Sequence, residues 1–173
     1  MLLRAYQSDD VGALYEAARE SIAEIYPWMA WCHPRYARDD ARTWVESRPA
    51  AWERGDDHSY LVTERTSARL LGGIGLNHFD WMHRRANLGY WVRTSATRQG
   101  VASEATRMLA RMGFAELGLV RIEIVAAVDN LASRRVAEKA GAAFECIARK
   151  RLIVPAGPVD AAVYSLVAED LRE

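Results

Sequence analysis

The chain has 173 residues, half of them apolar, and its 23 lysine and arginine residues balance 23 aspartate and glutamate residues. This length is typical of one domain with a buried core. The balanced charge excludes a global field that would draw the protein to nucleic acid or to a membrane surface, so any charged partner must be recognised locally.

The cysteine content and the N-terminus bear on the compartment. Cys32 and Cys146 form no C-x-x-C pair and are too few for a disulfide framework, which favours a reducing compartment. The opening residues MLLRAYQSDD contain no apolar run followed by a cleavage site, and no stretch approaches the roughly 18 apolar residues that a membrane span needs. We therefore expect a cytoplasmic protein with one domain over residues 1–173.

The first third of the chain predicts helices around an aromatic loop. Residues 2–5 form a short apolar strand candidate, and Ser8 or Asp9 can cap a helix that runs to about residue 24. The following segment, IYPWMAWCHPRYARDD, contains two prolines and two tryptophans and predicts a loop with a turn. Asp39 or Asp40 then caps a helix that runs through residue 54.

The rest of the chain predicts a meander followed by alternating strands and helices. The strands are expected at residues 59–63, 70–77, 86–92, 121–128, 143–153 and 159–167, and the helices at 103–117 and 130–140. Gly118 and Gly141 suit the ends of those two helices. This order predicts an α+β domain built on one mixed sheet.

The stretch TRQGVASEATRML leads from a predicted strand into a helix and carries the first indication of a ligand. Backbone N–H groups at a helix start lack internal partners, and small residues there let an anion approach closely. Gly100, Ala102 and Ser103 leave that room, and Arg98 adds positive charge. The pattern favours phosphate binding over a turn that is merely tight.

The runs NLGYWVRTSATRQGVASEA and VDNLASRRVAEKAG resemble the core of the GNAT N-acetyltransferases, specifically the RimJ/RimL type that includes ribosomal-protein N-terminal acetyltransferases. The resemblance extends over the whole chain and is strongest over residues 86–141. It implies a mostly antiparallel central sheet of about seven strands flanked by about four helices. It also implies an enzyme that moves an acetyl group directly from acetyl-CoA to a primary amine, with no covalent enzyme intermediate and no metal.

The resemblance implies a set of cofactor-binding residues. The family's loop Arg/Gln-x-x-Gly-x-Gly/Ala corresponds to TRQGVA, where Thr97 departs from the pattern and neighbouring Arg98 supplies the charge. The pantetheine arm of acetyl-CoA would pair like an extra strand with the backbone of Trp91 to Arg93, and Asn130 would hold it. The implied contacts are Arg98, Gln99, Gly100, Val101, Ala102 and Ser103 for the pyrophosphate, Trp91, Val92 and Arg93 for the arm, and Asn130 with Ser133 near the thioester.

The resemblance also frames the catalytic roles. Many relatives carry a tyrosine acid seven residues after the asparagine, where this chain has Ala137, so Ser133 becomes the candidate that hydrogen-bonds the leaving sulfur. The backbone N–H of Val92 is the expected oxyanion donor. Relatives often place a glutamate where this chain has Asn87, which leaves the base open between water held by Asn87, His78, Asp80 and His83.

The acceptor is the least determined part of the hypothesis. The substrate-binding candidates are Trp28, Trp31, His78 and Trp81, whereas Trp44 and Trp52 suit core packing better. A peptide or protein N-terminal amine is favoured. A small amine such as a polyamine or an antibiotic, and a non-catalytic acyl-CoA-binding module, stay open as alternatives. A homodimer is compatible with the sequence.

Overall fold

The computed structural model describes residues 1–171 and consists of a mixed seven-stranded sheet with helices on both faces. The strands are β1 (Leu2–Arg4), β2 (Asp57–Thr63), β3 (Leu70–Asp80), β4 (Arg85–Val92), β5 (Arg121–Ala127), β6 (Ala143–Val154) and β7 (Gly157–Leu166). The helices are α1 (Val11–Glu20), α2 (Ile22–Ile25), α3 (Arg38–Glu53), α4 (Val101–Glu116) and α5 (Leu131–Ala140).

The predicted fold class is confirmed. The sheet order is β1-β2-β3-β4-β5-β7-β6, and the one parallel pair within residues 1–171 is β4 with β5. Five α-helices occur in the described chain where about four were expected. The predicted domain, residues 1–173, includes Arg172 and Glu173, which lie outside the described residues.

The first predicted helix, expected to run to about residue 24, is interrupted at Ser21, and the interruption allows Ser21 to contact another segment. Helix α1 ends at Glu20, and α2 starts only after Ser21. The buried Ser21 hydroxyl donates to the Ala17 carbonyl at 2.7 Å and accepts the backbone N–H of Thr94 at 3.0 Å. The interruption therefore ties the first helical segment to the loop that follows β4.

Two helix starts also differ from the sequence prediction. Helix α3 begins at Arg38, because the Asp40 carboxylate accepts the backbone N–H of Ala37 at 2.8 Å and so caps from inside the first turn. Helix α4 begins at Val101 instead of residue 103. The reason is Gly100, whose left-handed backbone (φ 79°) turns the chain directly into the helix.

The parallel pair β4–β5 is short, and this creates the main opening in the sheet. The two strands pair only from Arg85 with Arg121 to Asn87 with Glu123. Beyond that point β4 continues to Val92 and β5 to Ala127, each held only by its antiparallel neighbour. The facing edges of the two strands therefore border a cleft, which runs from the sheet centre toward the start of α4.

Strand alternation separates the two faces of the sheet. Ile74, Leu88 and Ile122 point into a core that α4 and α5 cover. Gly73, Gly89 and other residues of opposite parity face α1 and α3, where they border a cavity. The cleft and the cavity meet at the centre of the sheet.

Candidate active site

A cavity of about 950 Å³ opens on the face of the sheet that α1 and α3 cover. Trp31 is central to its wall, since its ring lies edge-on against Tyr36 (5.7 Å between centroids) and Trp91 (5.5 Å). The other aromatic residues of the lining are Tyr6, Trp44 and Tyr90. These rings give the cavity a mostly apolar wall.

The floor of the cavity is bare backbone at three positions, Gly73, Gly75 and Gly89. A Cβ atom at Gly73 would lie 2.5 Å from the Trp91 indole nitrogen, and one at Gly75 would lie 2.7 Å from the Ser59 hydroxyl. A Cβ atom at Gly89 would meet nothing within 4 Å. Glycine at 73 and 75 thus admits neighbouring side chains, whereas glycine at 89 leaves open space in the cavity.

A row of polar side chains crosses the sheet at the point where β4 and β5 separate. Asn77, Asn87 and Glu123 are register partners on β3, β4 and β5, and all three line the cavity. Asn87 Nδ2 donates to Asn77 Oδ1 at 2.9 Å. The Glu123 carboxylate, 20% exposed, accepts Arg121 Nε at 3.1 Å and lies 3.5 Å from Arg85 Nη1. The row brings a carboxylate beside the asparagine that replaces the family's glutamate.

The remaining carboxylates of the lining are already engaged. Asp57 lies 3.2 Å from Arg48 Nη1 and accepts the Ser59 hydroxyl. Asp40 caps α3 through the Ala37 N–H. The cavity therefore presents carboxylates that have partners within the protein.

The base candidates from the turn after β3 differ in their placement. His78 lines the cavity and sits in a β-bulge with a left-handed backbone (φ 50°), which re-aims its side chain. Asp80 also lines the cavity, but hydrogen bonds from the backbone and the ring of His83 lower its pKa, which makes it a weaker base. His83 itself is 65% exposed and lies outside the lining.

The edge of β4 presents backbone donors to the cleft. Arg93 N–H donates to the Leu71 carbonyl at 2.9 Å, so residues of that parity point their backbone groups toward β3. Val92 and Tyr90 have the opposite parity, and their N–H groups point toward the cleft. The predicted oxyanion donor, Val92, thus lies where β5 no longer pairs with β4.

The Arg93 side chain anchors the loop that follows. Its guanidinium donates to Glu20 Oε2 and to the Leu70 carbonyl (3.1 Å), and Ser95 N–H donates to Glu20 Oε1 at 2.7 Å. The hydrogen bonds from Arg93, followed by that from Ser95, lower the pKa of Glu20 to about 2. The side chain of Arg93 therefore supports the loop, whereas its backbone belongs to the β3–β4 ladder.

The loop ends in a cradle of backbone donors at the start of α4. Arg98 (φ 61°) and Gly100 (φ 79°) both adopt left-handed conformations, and a Cβ atom at Gly100 would meet nothing within 4 Å. A hydrogen bond from Gln99 Nε2 to the Ser95 carbonyl (3.2 Å) stabilises the turn. First-turn N–H groups in such a turn form an anion-binding concavity. The residues Arg98, Gln99, Gly100, Val101, Ala102 and Ser103 thus fit the pyrophosphate of a coenzyme.

The start of α5 lies on the other side of the cleft. Asn130 Oδ1 caps the helix by accepting Ser133 N–H at 3.1 Å, so its amide nitrogen is the group left to contact a ligand. The hydroxyl of Tyr90 reaches across from β4, donates to the Ser133 carbonyl at 2.8 Å and lies 3.0 Å from Ser133 Oγ. This contact fixes Ser133 beside the exposed edge of β4.

The predicted acceptor residues are only partly brought together. Trp31 and His78 line the cavity, and Trp28 and Trp81 lie outside its lining. The ring of Trp81 stacks on Phe79 with 4.7 Å between centroids. Trp44, which the sequence assigned to packing, lines the cavity instead.

Two polar residues of the site escaped the sequence analysis. Glu123 lies in a strand whose alternation was recognised, but its neighbour across the sheet depends on the β4–β5 register. Tyr90 belongs to the N-L-G-Y motif, but its contact with Ser133 joins positions 43 residues apart. Strand parity alone could have placed Glu123 on the opposite face from the α4 core.

Residues 1–171 contain no helix with both the length and the apolar character that a membrane span requires. The same residues contain no group of three histidine, cysteine, aspartate or glutamate side chains arranged to hold a metal ion.

Several known acetyltransferases are similar to this chain in sequence or in fold. The "Putative ribosomal N-acetyltransferase YdaF" of Bacillus subtilis is 38% identical over 97% of this chain and 91% of its own length. The "Ribosomal-protein-serine acetyltransferase" of Escherichia coli is 26% identical over 83% and 79%. The solved structure of RimL, a ribosomal L7/L12 α-N-protein acetyltransferase in complex with coenzyme A, superposes with a TM-score of 0.87 at 23% identity, covering 97% of this chain and 94% of that one.

The sequence pattern of the acetyltransferase (GNAT) domain matches residues 1–143, more than half of the chain. The match includes β4, the α4 cradle and the start of α5. The chain therefore belongs to the GNAT acetyltransferase family and is an N-acetyltransferase that uses acetyl-CoA.

Proposed function

We propose that the acceptor of this acetyltransferase is the N-terminal α-amine of a protein or peptide, of the kind that ribosomal proteins carry. The observation that carries the proposal is the meeting of the β4–β5 cleft with a cavity whose polar row includes Glu123. Two relatives named for ribosomal acceptors, matched over most of this chain, add support. Such an acceptor agrees with the predicted cytoplasmic location.

Acetyl-CoA supplies an acetyl group activated as a thioester. The backbone from Arg98 to Ser103 would hold its pyrophosphate, the β4 edge at Val92 its pantetheine arm, and Asn130 Nδ2 a polar group of that arm. Trp91 and Arg93 frame the same edge. With the arm in the cleft, the thioester end would point toward the cavity, since the pairing of β4 with β5 blocks the cleft beyond Asn87.

The reaction requires one proton to leave the acceptor ammonium before attack and a second to leave the nitrogen as the amide forms. Asn87 has no basic atom, but it lies beside Glu123 in the polar row. We assign to Asn87 the orientation of a water molecule and to Glu123 the acceptance of its proton. The N–H of Val92 stabilises negative charge on the acetyl oxygen, and the Ser133 hydroxyl stabilises the leaving sulfur.

The electrostatics of the cavity favour an α-amine over a polyamine. Three carboxylates of the lining are paired with arginine, Asp57 with Arg48, Asp80 with Arg85 and Glu123 with Arg121, so they offer little uncompensated negative charge to a multivalent cation. An α-ammonium has a pKa of about 7.7 to 8.0, whereas a lysine ammonium titrates near 10.4. Because an α-amine is already partly neutral near pH 7, it needs less help from a base in the site than a lysine side chain does.

The test compares acetylation rates near neutral pH for three acceptors at equal concentration: a peptide with a free small N-terminal residue, spermidine and free lysine. We expect the peptide to react fastest, with the products identified by mass spectrometry. Faster turnover of spermidine would replace this proposal with a small-amine acceptor. The sequence leaves a homodimer open, and sedimentation of the purified chain answers that separate question.

A further inference from the structure

Two tyrosine hydroxyls contact helix α5 on the same face of the sheet, and only one of them contacts Ser133. Tyr90 Oη donates to the Ser133 carbonyl at 2.8 Å and lies 3.0 Å from Ser133 Oγ. Tyr164 Oη, on β7, donates to Glu138 at 3.0 Å and accepts Arg134 Nε at 3.2 Å. Both tyrosines brace the helix, but Tyr90 alone of the two touches the residue assigned to the leaving sulfur.

A serine hydroxyl by itself is a weak acid and rotates freely, so it stabilises a developing thiolate poorly unless its direction is fixed. A hydrogen bond to the serine oxygen fixes that direction, and it polarises the serine O–H because neighbouring hydrogen bonds in a low-dielectric site strengthen one another. Tyr90 Oη lies within hydrogen-bond distance of both the Ser133 carbonyl oxygen and Ser133 Oγ, so its single proton makes that bond when it turns from the carbonyl to Oγ.

We propose that Tyr90 is a positioning residue for acetyl transfer: during the reaction its phenolic proton bonds Ser133 Oγ in place of the Ser133 carbonyl, which leaves the serine O–H free to point at the leaving sulfur. The inference rests on the proposed function, because it takes the Ser133 role from there. It adds a residue from β4 to the machinery and explains how the chain operates with Ala137 where relatives carry a tyrosine acid.

The bonds and protons of the step balance without a proton from Tyr90. The C–N bond forms as the C–S bond breaks, and the electron pair of that bond goes to sulfur. The ammonium proton leaves through the polar row, and the second proton of the nitrogen neutralises the thiolate. Burial raises the pKa of Tyr90 to about 12, so the phenol keeps its hydrogen throughout and acts only through its hydrogen bond.

The experiment compares Tyr90→Phe with Tyr164→Phe, which removes a hydroxyl of the same kind from the same face. We expect Tyr90→Phe to lower kcat about tenfold, as the loss of one hydrogen bond in the transition state predicts, and to leave CoA affinity within about twofold by calorimetry. Tyr164→Phe should lower the melting temperature with little change in kcat. Equal kcat values for Tyr90→Phe and the wild type would overturn the proposal.

Two further readouts separate positioning from a merely structural effect. Tyr90→Phe should add nothing to the kcat loss of Ser133→Ala, since both remove the same unit; an additive double variant would contradict the proposal. The thiol of CoA bound to the Tyr90→Phe protein should also titrate at higher pH than on the wild type, measured by thiolate ultraviolet absorbance. This titration needs no acceptor, so it decides the Tyr90 role even if no amine tested is acetylated, and an unchanged titration would overturn it.

Discussion

At the α4 end of the β4–β5 cleft, the groups available to a ligand belong to the backbone, whereas at the cavity end they belong to side chains from separate segments. The α4 end consists of one continuous loop with two left-handed residues, Arg98 and Gly100. The cavity end combines the loop at Trp31 with helix α3 and five strands, β2 to β6. A site of the first kind depends on conformation, and a site of the second kind depends on which side chains the fold brings together.

The largest effect should come from Gly100→Glu at the α4 end. The new side chain would occupy the open space beside the cradle, oppose a phosphate with negative charge and strain a residue with φ 79°. We expect calorimetric titration to detect no CoA binding to this variant. Gly118→Glu is a matched control, because Gly118 is also left-handed (φ 64°) and open but lies at the other end of α4.

Equal losses of CoA affinity in the two glycine variants would show that strain, and not the cradle, dominates the effect. The melting temperature of each variant without ligand measures that strain directly.

The second prediction concerns the cavity end and uses two glutamates that share Arg121. Glu123 lines the cavity, whereas Glu145 binds both terminal nitrogens of Arg121 at 2.6 Å from outside the lining. Glu123→Gln should lower kcat for a peptide acceptor about a hundredfold near neutral pH, in the range for a lost general base. The defect should shrink as the pH rises, because the amine then loses its proton to solvent. Glu145→Gln should leave kcat nearly unchanged.

The variant Asn87→Glu tests the proposed water-orienting role of Asn87 beside Glu123. The new carboxyl would face Glu123 directly across the strands, and two adjacent carboxylates raise the pKa of one of them. We expect the variant to stay active and to gain an ionisation closer to neutral pH in its rate profile. An inactive but folded Asn87→Glu protein that still binds CoA would contradict a water-orienting role for Asn87.

A smaller, selective effect is expected from Gly89→Val. Its side chain would project into the open part of the cavity, and no left-handed backbone strain opposes it. The KM for peptide should rise several-fold while CoA affinity, measured by calorimetry, stays near the wild-type value. A matched loss of CoA affinity would indicate that cofactor and acceptor do not occupy separate ends of the cleft.

The contrast between the two ends also explains what the sequence could predict. The backbone donors at the start of α4 are contiguous in sequence, so the stretch TRQGVA was enough to predict them. The predicted start of α4 at residue 103 was wrong, because Gly100 turns the chain into the helix at Val101. The strands and the α+β class followed from local periodicity in the same way. Glu123, Tyr90 and Trp44 were missed because their roles arise from register and packing between distant segments.

The smallest effect should be the pH dependence that Glu20 contributes. Its folded pKa of about 2 lies below the ordinary value of 4.5, so its bonds to Arg93 and Ser95 stabilise the fold fully above the unfolded pKa. That contribution is lost as the pH falls from about 4.5 toward 2. Urea unfolding should show the wild type more stable than Glu20→Gln at pH 6, with a smaller difference at pH 3. A constant difference would place the effect elsewhere.

The most direct test uses one peptide that carries both a serine N-terminus and an internal lysine, so that the two amines compete at equal concentration. The chain is incubated with acetyl-CoA for a single turnover near neutral pH, and tandem mass spectrometry locates the acetyl group. The account predicts acetylation of the α-amine. Acetylation of the lysine side chain first would contradict it.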